Sequence, residues 1–105
     1  MSYNINLQTI ADELDFDLED VEMLIEVFLE STVLGMERLK KAIDDNNFEN
    51  IYQASHGIKG SSANLTLMEI SNIAQDMEHN SKEQNSINYL EKFNELEKLI
   101  NNISA

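Results

Sequence analysis

The chain has 105 residues, 42% of them apolar and 26% charged, so it has the size for one modest hydrophobic core and is too apolar to remain disordered. Its formal charge of −13 repels phosphate backbones and anionic membrane surfaces, and no run of Lys or Arg offsets it, which argues against nucleic acid as a partner. There is no cysteine, which excludes disulfides and thiolate metal sites.

The N-terminal "MSYNINLQTIADELD" has no basic stretch followed by an apolar run, and no segment approaches the roughly 20 apolar residues of a membrane span. A cytoplasmic protein with no membrane insertion is expected, with residues 1–105 forming a single domain. Proline is absent and only three glycines occur, while apolar residues recur every three or four positions, an all-α pattern. Leu7, Ile10, Ala11 and Leu14 predict a short first helix that ends in "DFDLED". Asp17 is placed to cap a second, long helix, with Phe16 and Val21 at the positions of a hydrophobic staple. Leu18, Val21, Ile25, Phe28, Thr32, Gly35, Leu39 and Ile43 mark its inner stripe.

"DDNN" at residues 44–47 predicts a turn, and a third helix runs from about Phe48 to Asn64. Thr66 and Glu69 are spaced as a capping box that would open a fourth helix, with Leu65 and Ile70 as its staple. Leu67, Ile70, Ile73, Ala74 and Met77 form its stripe until "HNSKEQNS" breaks it, and a fifth helix runs through Ile87, Leu90, Phe93, Leu96, Ile100 and Ile103. Four long amphipathic helices with short connections pack as an antiparallel up-down four-helix bundle, with the short additional N-terminal helix across one end. The breaks near residues 45, 65 and 82 favour this over a long coiled coil, which needs sustained heptads.

The third helix contains "YQASHGIKGSSANLT", with two glycines beside a histidine. Each glycine in a helix costs about 1 kcal/mol relative to alanine, so the pair needs a local reason. At 100° per residue, Ile51, Ala54, Ser55, Ile58, Ser61, Ser62 and Leu65 share the core face, and Glu49, Tyr52, Gln53, His56, Lys59, Gly60 and Ala63 face outward. An exposed neutral imidazole is a nucleophile, and a phosphoryl group on it would bring close to two negative charges onto an acidic surface. Lys59, one turn on, supplies a counter-charge, and Gly60 leaves bare helix beside the ring. No second acid–base partner is evident on this face, and no Ser-His-Asp or Cys-His arrangement can be assembled.

The string "SHGIKGSSANL", with its pattern H-x-x-K-G-S-S-x-x-L, resembles the signature of histidine-containing phosphotransfer (HPt) domains. "FLEST" upstream, "NLTLMEISNIAQDMEHN" downstream and the closing amphipathic helix resemble that family's layout over most of the chain. The resemblance implies a helical bundle whose exposed histidine accepts a phosphoryl group from a receiver-domain aspartate and passes it to another receiver, a carrier rather than an autonomous enzyme. It implies His56 as phosphoacceptor, Lys59 as its electrostatic partner and Gly60 as the residue leaving room for the receiver. Tyr52, Gln53 and Ala63 complete the candidate docking surface. Response-regulator receivers or a hybrid histidine kinase would be the partners of a monomer that binds no cofactor itself, any magnesium belonging to the receiver. Many relatives have glycine where Thr66 stands, and here the capping box is expected to make that turn instead.

Blander readings apply elsewhere. His79 lacks the company of His56 and reads as a solvent residue near a helix end. Ser61 and Ser62 read as small packing residues whose hydroxyls return to the backbone one turn earlier. Met23, Met68 and Met77 read as gap fillers in the bundle, and the scattered carboxylates as solvated faces rather than a metal site. The rival to phosphotransfer is a non-phosphorylated acidic helical adaptor that docks a signalling partner through the same outward face.

Overall fold

The computed structural model describes residues 5–103, so both ends of the 1–105 span lie outside the described residues. Five helices follow in order: α1 (Leu7–Leu14), α2 (Leu18–Asp44), α3 (Phe48–Asn64), α4 (Met68–Lys82) and α5 (Tyr89–Ile103). No strand occurs among the described residues. Each of α2 to α5 packs on its neighbours in sequence, and α5 closes back on α2, so the four surround one core. Ile25, Leu39, Ile51, Met77, Leu96 and Ile103 are its largest fully buried side chains. The short α1 packs on α2 and buries Ile10 and Ala11. This is the expected all-α, up-down bundle with a short N-terminal helix.

Glycine and the turns are used in an unexpected way. The four turns that follow α1 to α4 place Asp15, Asn46, Thr66 and Gln84 in the left-handed region, while no glycine has a positive φ. In each turn the next N–H reaches back to a carbonyl of the final helical turn: Phe16 to Ala11, Asn47 to Ala42, Leu67 to Ser62 and Asn85 to Asn80, at 2.8–2.9 Å. These are Schellman endings built without glycine. The glycines are all inside helices. Gly35 of α2 faces α3, where a Cβ would stand 3.4 Å from Cγ1 of Ile58, the near edge of ordinary contact.

Several expectations need correction. Thr66 and Glu69 form no capping box: Thr66 has φ 59°, Leu67 occupies the N-cap, and no side chain caps α4. The left-handed turn is therefore made by Thr66 itself, and the Schellman carbonyl contacts hold a β-branched residue where it is disfavoured. Asp17 stands at the N-cap of α2 without a side-chain hydrogen bond, whereas Asn6 and Asn47 do cap α1 and α3, through Thr9 and Asn50 N–H groups. Helix α4 does end within the polar run, at Lys82, as the expected break near residue 82 requires. In α5 it is Tyr89 rather than Leu90 that turns inward, and Ile87 precedes the helix. Met77 is buried, but Met23 and Met68 are exposed and fill no gap.

Candidate functional site

The α3 wheel is realised: Ile51, Ser55, Ile58, Ser62 and Leu65 are buried, and Gln53, His56, Gly60 and Ala63 are exposed. Ser55, Ser61 and Ser62 return their hydroxyls to the carbonyls of Ile51, Gly57 and Ile58, four residues back, as small packing residues do. Ser71 of α4 donates across to the Lys59 carbonyl at 3.2 Å, tying the two helices together beside the candidate site. Small side chains on both helices, including Ser55 and Ser62 on α3 and Ser71 and Ala74 on α4, allow α3 and α4 to pack more closely than any other pair.

That close packing delivers a residue that the sequence reading missed. Glu78 of α4 projects onto the outer face of α3, with Oε2 2.7 Å from Nδ1 of His56 and Oε1 2.9 Å from Nζ of Lys59. The expectation that His56 lacks a second acid–base partner is overturned. The only sequence signal for Glu78 is its register, four residues after buried Ala74 and three before buried Ser81, which puts it at the edge of the core stripe. Partial burial works against its charge, but hydrogen bonds and charge from Lys59 and His56 outweigh that, holding its carboxyl below the ordinary carboxylate range. Lys59 is consequently ion-paired, where the sequence alone suggested an ammonium free to reach the imidazole.

The His56 side chain is 58% exposed while that of Glu78 is only 15% exposed, so an open ring is set against a largely covered carboxylate. Tyr52, one turn earlier, stacks on the imidazole with centroids 5.9 Å apart and planes 17° from parallel. Tyr52 is thereby half-buried and belongs to the setting of His56 as much as to the surrounding surface. A Cβ added to Gly57 or Gly60 would meet nothing within 4 Å, so neither glycine is required by packing inside the protein. His79 is exposed in the last turn of α4 and joins no such arrangement.

Beside this face, α1, α2 and the C-terminal half of α3 enclose an open groove of about 410 Å³. Phe28 and Leu65 line its depth, while Phe16, Leu24 and Val27 line it with their surfaces still exposed to solvent. Ser61 and Asn64 of α3 connect it to the turn that carries Gly60. The sequence reading named candidate surface residues on α3 alone and did not anticipate this groove shared with α2. Among the described residues, no three His, Asp or Glu side chains are grouped so as to hold a metal ion, and no helix is long and apolar enough to cross a membrane.

These features, an open helical histidine with an adjacent lysine and glycine on a four-helix bundle, accord with the comparison to known families. A family model described as Hpt domain matches residues 23–105, which span the motif and all four bundle helices but for the first residues of α2. No curated protein and no solved structure matches the chain. With most of its length matched by that model, the chain belongs to the Hpt domain family.

Proposed function

We propose that this chain carries a phosphoryl group on His56, receiving it from a receiver-domain aspartate and passing it to a second receiver. Hpt domains serve histidine phosphotransfer in phosphorelays, interacting with receiver domains and histidine kinases, and the local chemistry here supports that role. The observation that carries the reading is the open imidazole of His56, set against Tyr52 and Glu78 and followed by two glycines that leave bare helix beside it. Lys59 is the nearby positive charge available to a phosphoryl group, which would compete with Glu78 for it.

The receiver docks over His56, Gly60, Gln53, Ala63 and the rim of Tyr52, and its apolar contact falls on the groove formed with α2. An apolar patch beside a reactive group suits a transient protein partner, because it supplies affinity without enclosing the ring. The receiver brings the magnesium ion and most of the stabilisation of the transferring group, and this chain acts as a cytoplasmic, monomeric carrier.

The test is to mix the purified protein with receiver domains labelled as aspartyl phosphates and to examine the label it acquires. An acid-labile, alkali-stable label mapped to His56, and returned to a second receiver, is the expected result. Stable complexes with receivers but no label, from them or from phosphoramidate, would instead establish the adaptor role.

A further inference from the structure

Of the four bundle helices, α2 and α5 are the least closely packed neighbours. An open groove of about 640 Å³ runs along their seam, from Thr32 to Asp45 on the α2 side and from Phe93 to Asn101 on α5, and no residue of α3 or α4 lines it. At the rise of an α-helix the α2 wall is about 20 Å long, room for roughly three turns of another helix laid between the two. Val33, Met36, Phe93 and Ile100 give the groove its apolar lining, and Val33 stays 58% exposed. Beneath them Thr32 is 2% exposed, and its hydroxyl is the one buried side-chain polar atom among the described residues with no hydrogen-bond partner. Ser55 and Ser62, on the tightly packed α3, do pair with carbonyls. A hydroxyl buried unpaired is unfavourable, so α2 and α5 form a seam that the chain does not close well by itself.

The rim of the groove has a definite sign. Lys40 and Lys41 are each taken by an acid four residues on, Asp44 at 2.9 Å and Asp45 at 3.2 Å. Glu37 on the α2 wall and Glu97 on the α5 wall have no ion-pair partner among the described residues. With the lysines balanced, the apolar floor is flanked by negative charge on both sides. An amphipathic helix with apolar residues at i, i+3, i+4 and i+7 and Lys or Arg on its flanks is complementary on both counts. A second copy of this chain is not, because each copy has a formal charge of −13.

We propose that the α2–α5 groove is a docking surface for a basic amphipathic helix of a partner protein, separate from the face that presents His56. The partner's apolar side chains seat between Val33 and Phe93, and its basic residues pair with Glu37 and Glu97. Charge attraction steers the helix to the groove, and the apolar floor holds it there.

The experiment titrates the nitrogen-labelled full chain with a peptide of about 14 residues, leucine on one face and lysine elsewhere, followed by amide NMR and calorimetry. Saturable binding is expected, with shifts centred on Val33, Met36, Phe93 and Ile100, unmoved signals at His56 and Gly60, and weaker affinity at higher salt. The same peptide with glutamate for lysine should not bind. Val33→Arg should weaken binding roughly tenfold, as should Glu37→Lys combined with Glu97→Lys, all at exposed positions. Val27→Arg, the same change at a 62% exposed valine elsewhere on α2, should leave affinity unchanged and so separates the groove from general attraction to an acidic protein. Shifts centred on Phe16, Leu24 and His56, equal losses in Val27→Arg and Val33→Arg, binding of the glutamate peptide, or no saturable binding would each overturn the proposal. None of these readouts involves phosphorylation, so the groove and the phosphotransfer reading stand or fall separately.

Discussion

Nζ of Lys59 lies 2.9 Å from Oε1 of Glu78, so the ammonium beside His56 is held by a carboxylate from the next helix. On the proposed phosphotransfer, removing it would take away a positive charge available to the phosphoryl group, and it leaves Glu78 with one partner, His56. Lys59→Ala should slow transfer clearly while costing about 1 kcal/mol or less of stability, since the lysine side chain remains 29% exposed. Stopped-flow transfer rates and thermal melts, with Lys98→Ala as a remote control, check this. Equal rates for Lys59→Ala and wild type would remove the lysine from the transfer machinery.

Phosphorylation itself should require His56 alone. His56→Gln is expected to abolish labelling and His79→Gln to leave it intact, because only His56 joins an exposed ring to an ordered carboxylate and a nearby lysine. Mass mapping of the labelled protein decides between the two histidines.

Gly60 should separate stability from docking. A Cβ there meets nothing within 4 Å, so Gly60→Ala should raise stability by up to about 1 kcal/mol with little loss of transfer. Gly60→Gln should also keep or raise the melting temperature but block receiver-mediated phosphorylation, while phosphoramidate still labels His56. Wild-type exchange between Gly60→Gln and a receiver would show that bare helix at this position is not needed for access.

The turn between α3 and α4 carries strain that can be relieved. Thr66 holds φ 59° as a β-branched residue, and replacing it by glycine should stabilise the fold by about 1 kcal/mol, the scale of the left-handed penalty. Asn46→Gly, at an equivalent turn with φ 51°, should gain less, because asparagine adopts this conformation more readily. Denaturant midpoints of the two variants test the ordering, and a larger gain at Asn46 would contradict it.

The lowered pKa of Glu78 fixes the sign of a pH effect. A carboxyl that titrates lower in the folded chain contributes stability that is fully present above its ordinary value of 4.5 and is lost as pH falls through the folded value. Wild type should therefore exceed Glu78→Gln in stability near neutral pH, with the difference shrinking as the pH drops below 4.5. Paired urea titrations across the acid range measure it. A gap that widened on acidification would reverse the assignment.

The sequence by itself determined the helices, the inward stripes and the outward face of His56, because these depend on spacings of three and four residues within one helix. It also carried the motif of His56, Lys59 and Gly60, whose members are local neighbours. What it did not display was Glu78, 22 residues from His56 and on another helix. Its place at the imidazole is decided by the register of α4 on α3, which small residues such as Ser55, Ser62, Ser71 and Ala74 set by letting the helices close together. Thr66 was misread for a related reason: local propensity favoured a capping box, but the connection between two packed helices needed a left-handed residue there. Met23 and Leu24 lie beyond periodicity in the same way, since whether an apolar side chain on the flank of α2 is covered depends on where the other helices end. Distances along the chain set the helices, and only packing between them decided which side chains share a surface and which atom of His56 a carboxylate faces.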